Sequence, residues 1–95
     1  MVAFDPDKDR RNRAKHGVPL ALGARVIADP WLVEWPDMSV DYGEPRWIGI
    51  GMVDAKVYVA VYTDRLDHVR MISVRPATRS EAGIYYRSRH TGEDT

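Results

Sequence analysis

The chain has 95 residues and a mass of 10.8 kDa, enough for one domain with a thin core. Its 44% apolar and 29% charged residues, with 14 bases against 14 acids, are the balance of a folded chain and at first argue against a polyanion partner. The absence of cysteine excludes disulfides, thiolate metal sites and thiol nucleophiles. No apolar run approaches the roughly 20 residues that span a bilayer, and the acidic start at Asp5, Asp7 and Asp9 is unlike a targeting segment, so a cytoplasmic protein without membrane contact is expected.

In chain order, Ala3-Phe4 reads as a very short strand. Asp5-Pro6 is a helix N-cap followed by proline at the first helical position, and Gly17 suits the left-handed residue that ends the helix, so a helix is predicted over Pro6 to His16. Acids in its first turn and Arg13, Lys15 and His16 in its last favour the helix dipole. Only Ala14 is available to an apolar stripe, which puts this helix at the surface. A second helix is predicted from Leu20 to Ala28, ended by Asp29-Pro30. Alternating residues then predict strands over Trp31 to Trp35, Arg46 to Met52, Lys56 to Thr63 and His68 to Arg75, with a polar loop from Pro36 to Pro45 and short turns that imply an antiparallel meander. Thr78 and Glu81 form a T-x-x-E capping box that opens a third helix running to about Arg89. The expected fold is α+β: two N-terminal helices, a four-stranded antiparallel sheet and one C-terminal helix. Residues 1–90 form one domain in this reading, with a polar, frayed tail over 91–95.

The neutral total conceals separated charge. Asp29 to Asp64 holds seven acids and two bases, whereas Arg65 to Arg89 holds six bases and two acids. Met1 to Gly17 adds five bases against three acids. Eleven of the 14 bases are arginine, whose planar fork suits bidentate contact with phosphate or carboxylate. If the two basic segments meet in space, they form a cationic surface on a neutral protein; the competing outcome is a set of solvated faces with internal ion pairs.

A composite of short motifs spans about residues 3 to 86: Lys15-His16-Gly17 after a charged helix, Asp29-Pro30, Gly43-Glu44 with Arg46, Ile50-Gly51, Val59 through Val61-Tyr62-Thr63 to Arg65, and Arg70 through Ile72-Ser73, Arg75, Ala77-Thr78-Arg79 and Glu81 to Tyr85. In this order and spacing the chain resembles the BrnT toxins of bacterial type II toxin–antitoxin systems. The resemblance implies a RelE-like fold, a ribonuclease activity that inhibits translation, a cognate BrnA-like antitoxin with a ribbon-helix-helix region, and DNA contact only through the antitoxin complex. Where the family is richer in Lys and Arg, Pro76, Ser80, Ala82 and Gly83 stand here, which implies weaker phosphate binding.

RNA cleavage without a metal needs a base for the 2′-hydroxyl proton, cations for the charged phosphorane and an acid for the leaving oxygen. The candidate catalytic residues are Arg46, Arg70 and Arg75 as clamps, Glu81 as a base and Tyr85 as a stacking or donating group; Lys15, His16 and Arg79 are the candidate RNA contacts. Glu81 has a competing role in its capping box, Tyr85 in the core, and Lys15 and His16 in closing their helix. The tryptophans suit core or interface anchoring. No histidine pair has metal-ligand spacing, so no metal or other cofactor is expected. One obstacle is geometric: strict alternation puts Ser73 and Arg75 on one face of their strand and Arg70 on the other, so one site can use both arginines only if the strand twists or bulges near Ser73. Two other readings compete with a ribonuclease: a non-catalytic antitoxin-binding module, and a small DNA-binding regulator, for which no helix-turn-helix or ribbon-dimer pattern is present.

Overall fold

In the computed structural model, which describes residues 2–38 and 43–93, three helices pack around a five-stranded mixed sheet. The strands are β1 (Val2–Ala3), β2 (Val33–Pro36), β3 (Trp47–Val53), β4 (Lys56–Asp64) and β5 (Val69–Pro76), in the spatial order β1-β5-β4-β3-β2. β2 to β5 form the expected antiparallel meander. The expectation of a four-stranded antiparallel sheet is corrected by β1, which pairs parallel with β5 through Val2↔Val69 and Ala3↔Arg70. The paired residues are Val2 and Ala3 rather than Ala3 and Phe4, and Phe4 is left exposed. Part of the predicted polar loop, residues 39–42, lies outside the described residues.

The first helix, α1 (Pro6–His16), has the predicted bounds. The Asp5 side chain accepts a hydrogen bond from the Asp7 N–H at 2.9 Å. Gly17, at φ 75°, closes the other end through its N–H to the Arg13 carbonyl at 2.9 Å. Without an apolar stripe, α1 docks by a polar clamp instead. Asn12 is buried against the edge of β5, where its Nδ2 donates to the Val74 carbonyl at 2.7 Å and its Oδ1 accepts from the Val74 N–H at 3.1 Å. One side chain thus supplies the bonding pattern of a neighbouring strand. Asp9 adds a second tether by accepting from the Leu20 N–H at 2.8 Å.

The second helix, α2, is regular only over Leu22–Ile27, shorter than expected at both ends. The Leu22 and Gly23 N–H groups bond back three residues to Pro19 and Leu20, and no side chain caps the α-helix itself. The third helix, α3 (Arg79–Glu93), outruns its expected end at Arg89 and takes in residues 91–93; residues 94–95 lie outside the described residues. The Thr91 hydroxyl donates to the Arg87 carbonyl, four residues back, at 2.9 Å.

Each sheet face carries its own core. On one, Ala60, Tyr62, Met71 and Val74 pack with Leu20 and Val26. On the other, Ile50, Val57 and Val59 pack with Tyr85 of α3. The β3–β4 hairpin turns on Asp54 and Ala55, both left-handed at φ 50° and 67°, and Val53 pairs with Lys56 across it.

Gly51 is buried where α2 crosses β3, and a Cβ there would overlap the Val26 carbonyl oxygen. Because that obstacle is backbone, Gly51→Ala is expected to destabilise the fold by at least about 2 kcal/mol. Gly49→Ala, whose new methyl first meets the side chains of Tyr62 and Leu32, is expected to cost less. Urea denaturation of both variants measures the difference.

Candidate functional site

The geometric obstacle to a shared arginine site is removed by one residue. Along β4 and β5, Val59 pairs with Arg75, Ala60 with Val74 and Val61 with Ser73, but Tyr62 then pairs with Met71 rather than Ile72. Ile72 is the extra residue of a β-bulge. Past the bulge the alternation of β5 is inverted, and Thr63 pairs with Arg70. Paired residues share a face, so Arg70, Ser73 and Arg75 all emerge on the face that carries Val59, Val61 and Thr63. One residue beyond the Trp47↔Tyr62 pair, Arg46 falls opposite Thr63 on that same face.

This face is divided between its two ends. Tyr85 and Ala82 of α3 cover Ile50, Val57 and Val59. At the other end Arg46, Val61, Arg70 and Ser73 are half-buried, and Trp35, which pairs with Ile48, is 37% exposed. Arg70 and Arg75 stand at opposite ends of this open region, about 13 Å apart along the strand, within reach of one another's ligand by two long side chains. Arg70 has no carboxylate partner among the described residues.

Arg75 is held differently. Its Nη1 and Nη2 donate to Glu81 Oε1 and Oε2 at 2.6 and 2.7 Å. Glu81 Oε1 also accepts from the Thr78 N–H at 2.8 Å, and the Glu81 N–H donates to Thr78 Oγ1 at 3.2 Å, completing the predicted capping box. Hydrogen bonding from Arg75, opposed by partial burial and aided by Thr78, holds the Glu81 carboxyl down at about 2. Such a carboxylate is a poor proton acceptor, and the geometry puts Glu81 in the role of orienting Arg75.

Tyr85 is placed in the core. Its side chain is fully buried, and its hydroxyl donates to Asp29 Oδ2 at 2.5 Å. Burial and the Asp29 hydrogen bond push the Tyr85 hydroxyl up to about 12. Asp29 also accepts from the Trp31 N–H at 2.9 Å and the Met52 N–H at 2.8 Å, so one carboxylate joins the end of α2, β3 and α3. Burial works against its charge, but the bonds from Tyr85, Trp31 and Met52 outweigh it and leave the carboxyl below its usual range.

Lys15 and His16 line a hollow of about 270 Å³ between α1 and the edge of β5. Its other walls are Lys8, Arg11, Asn12, Ile72 and Ser73. Ser73 belongs both to this basic hollow and to the arginine face, so the two cationic segments adjoin there. Arg79 is exposed at the start of α3, after the strand that carries these residues. Part of the acidic segment lies on the α2 side of the sheet. Glu34 accepts a hydrogen bond from the Tyr62 hydroxyl and, with Asp64, lines a separate hollow of about 250 Å³ beside α2. Asp54 and Glu44 are bound by Arg25 and Arg65 at 3.1 Å.

Three residues outside the sequence candidates matter to this arrangement. Asn12 holds α1 to β5, Asp29 fixes α3 over the sheet, and Thr63 lies between two arginines. Asp29-Pro30 was legible as a helix stop and as part of the family motif, not as a tether for α3, and Asn12 carried no signal amid charged neighbours. Against known families, the chain matches the one described as the ribonuclease toxin BrnT of type II toxin–antitoxin systems over residues 4–81. No curated protein matches the chain.

Two outcomes follow from the carboxylates. Glu81 ionises at about 2 in the folded chain against an ordinary 4.5, so its contribution to stability is complete above about pH 4.5 and disappears as the pH falls towards 2. Asp29 acts with the same sign. Thermal melts between pH 2 and 6 are expected to show this acid loss, with a shallower slope for Glu81→Gln. Tyr85→Phe removes a donor to the partly buried Asp29 carboxylate and is expected to cost about 1–3 kcal/mol in urea denaturation.

Proposed function

Since the chain belongs to the BrnT family, the ribonuclease toxins of type II toxin–antitoxin systems, we propose that it cleaves single-stranded RNA without a metal ion on the surface formed by the open sheet face and the α1 hollow. The observation that carries this reading is the bulge at Ile72, which gathers Arg70, Ser73 and Arg75 on one face and brings Ser73 to the basic hollow of α1. A phosphodiester strand needs such a continuous run of cations and donors, because backbone contacts supply most of the affinity for nucleic acid.

Arg70 acts as the primary clamp on the charged phosphorane. Arg75, oriented by its two bonds to Glu81, presents its remaining donors to a neighbouring phosphoryl oxygen. Arg46 flanks Arg70 across Thr63. His16 carries the proton, since histidine is the usual acid–base group near neutral pH, and Lys15 contacts the backbone of the bound strand. Arg79, exposed at the start of α3, extends the cationic track. The fold is of the RelE-like kind, and RNA cleavage of this sort inhibits translation in the cytoplasm. A protein antitoxin restrains a type II toxin. Here it is a BrnA-like, ribbon-helix-helix protein, and DNA is contacted only through the complex.

A second reading rests on the Arg75–Glu81 pair. With that guanidinium held by a carboxylate at 2.6 Å, a weakly active or inactive homologue would serve as an antitoxin-binding module in autoregulation.

Cleavage of a single-stranded RNA by purified protein at low salt with a chelator present separates the two. The ribonuclease reading expects metal-independent cleavage that Arg70→Ala slows by about 100-fold, with an unchanged melting temperature. Wild-type protein that binds its antitoxin but leaves RNA intact supports the module.

A further inference from the structure

On β4 the residues facing α3 and the arginines are Val57, Val59, Val61 and Thr63. The valine series gives way to threonine at the position flanked by Arg70 on β5 and Arg46 on β3. Threonine has nearly the shape of valine, so packing and strand preference do not ask for the exchange. The exchange is also unfavourable for the chain alone. Thr63 is 2% exposed, and its Oγ1 is buried with no hydrogen-bond partner. Native proteins seldom leave a buried hydroxyl in that state, and where they do it calls for an explanation.

The neighbours supply one. A guanidinium has donors only, so the Thr63 hydroxyl proton finds no acceptor on Arg46 or Arg70. An oxyanion seated there would accept from the Thr63 hydroxyl and from guanidinium donors beside it. We propose that Thr63, with Arg70 and Arg46, forms the seat for a phosphodiester group of the bound RNA, with Thr63 Oγ1 donating to a non-bridging phosphoryl oxygen. This assignment rests on the RNA-binding reading above and adds a specific ligand to it. The all-donor character of the seat matches a tetrahedral oxyanion. The hydroxyl is buried on the face from which both arginines emerge.

The test measures binding of a short single-stranded RNA with 2′-O-methyl riboses, which cannot be cleaved, by fluorescence anisotropy at low salt. Thr63→Val keeps the shape and removes the unsatisfied hydroxyl. It is expected to weaken binding about ten-fold while leaving the melting temperature unchanged or raised, and Thr63→Ser is expected to retain most of the affinity. Wild-type binding that Thr63→Val leaves intact would overturn the seat and spare the RNA reading. So would an affinity loss shared by Thr63→Val and Thr63→Ser in step with a falling melting temperature. Wild-type protein that does not hold the RNA at low salt would overturn both.

Discussion

One additional residue in β5 governs which side chains meet. A strand without the bulge at Ile72 would send Arg70 to the α2 side and Arg75 to the α3 side. With it, the hydrophobic pattern is also reconciled. Met71 and Val74, three apart, both enter the core beneath α2, which strict alternation forbids. The two demands are satisfied together: the apolar residues are drawn to one face and the arginines to the other. The packing of the core and the grouping of the arginines therefore share a single irregularity.

The second constraint is the use of polar clamps where apolar surface is scarce. A helix as charged as α1 has nothing to bury, yet Asn12 secures it by meeting the free N–H and carbonyl of Val74 on the strand edge. This blunts an edge that β1, only two residues long, leaves uncovered. It also leaves Lys8, Arg11, Lys15 and His16 to line a hollow rather than anchor a helix. Asp29 does the corresponding work for α3, using a partly buried carboxylate to tie Tyr85 to β3. In both cases a short polar side chain replaces several apolar contacts and frees neighbouring residues for the surface.

Charge is sorted across the sheet. Glu34 and Asp64 lie with Tyr62 on the α2 side, and Arg46, Arg70 and Arg75 lie on the other. A neutral protein can thus present a cationic face, because the low net charge averages two surfaces. Asp29, bonded to Tyr85, and Asp37, whose N–H donates to the Arg46 carbonyl, also lie on that side, and so does Glu81, which the start of α3 needs in a capping box. It keeps Arg75 pointed along the face at the cost of occupying two of its donors.

The amino-acid order alone determined whatever depends on near neighbours. The bounds of α1 follow from Asp5, Pro6 and Gly17, the start of α3 from Thr78 and Glu81, and the meander from short turns between alternating runs. The family motifs were legible in the same way, since they are strings of adjacent residues. What only the tertiary structure decided are contacts between distant residues: Asn12 with Val74, 62 positions on, and Asp29 with Tyr85, 56 positions on. The parallel strand at Val2–Ala3 belongs with them, because two residues carry no period of their own and become a strand only when β5 offers an edge. So does the bulge, because alternation within β5 is the same string of letters whichever partner it meets. The register against β4, set by which side chains the two cores accept, is what turned Arg70 towards Arg75.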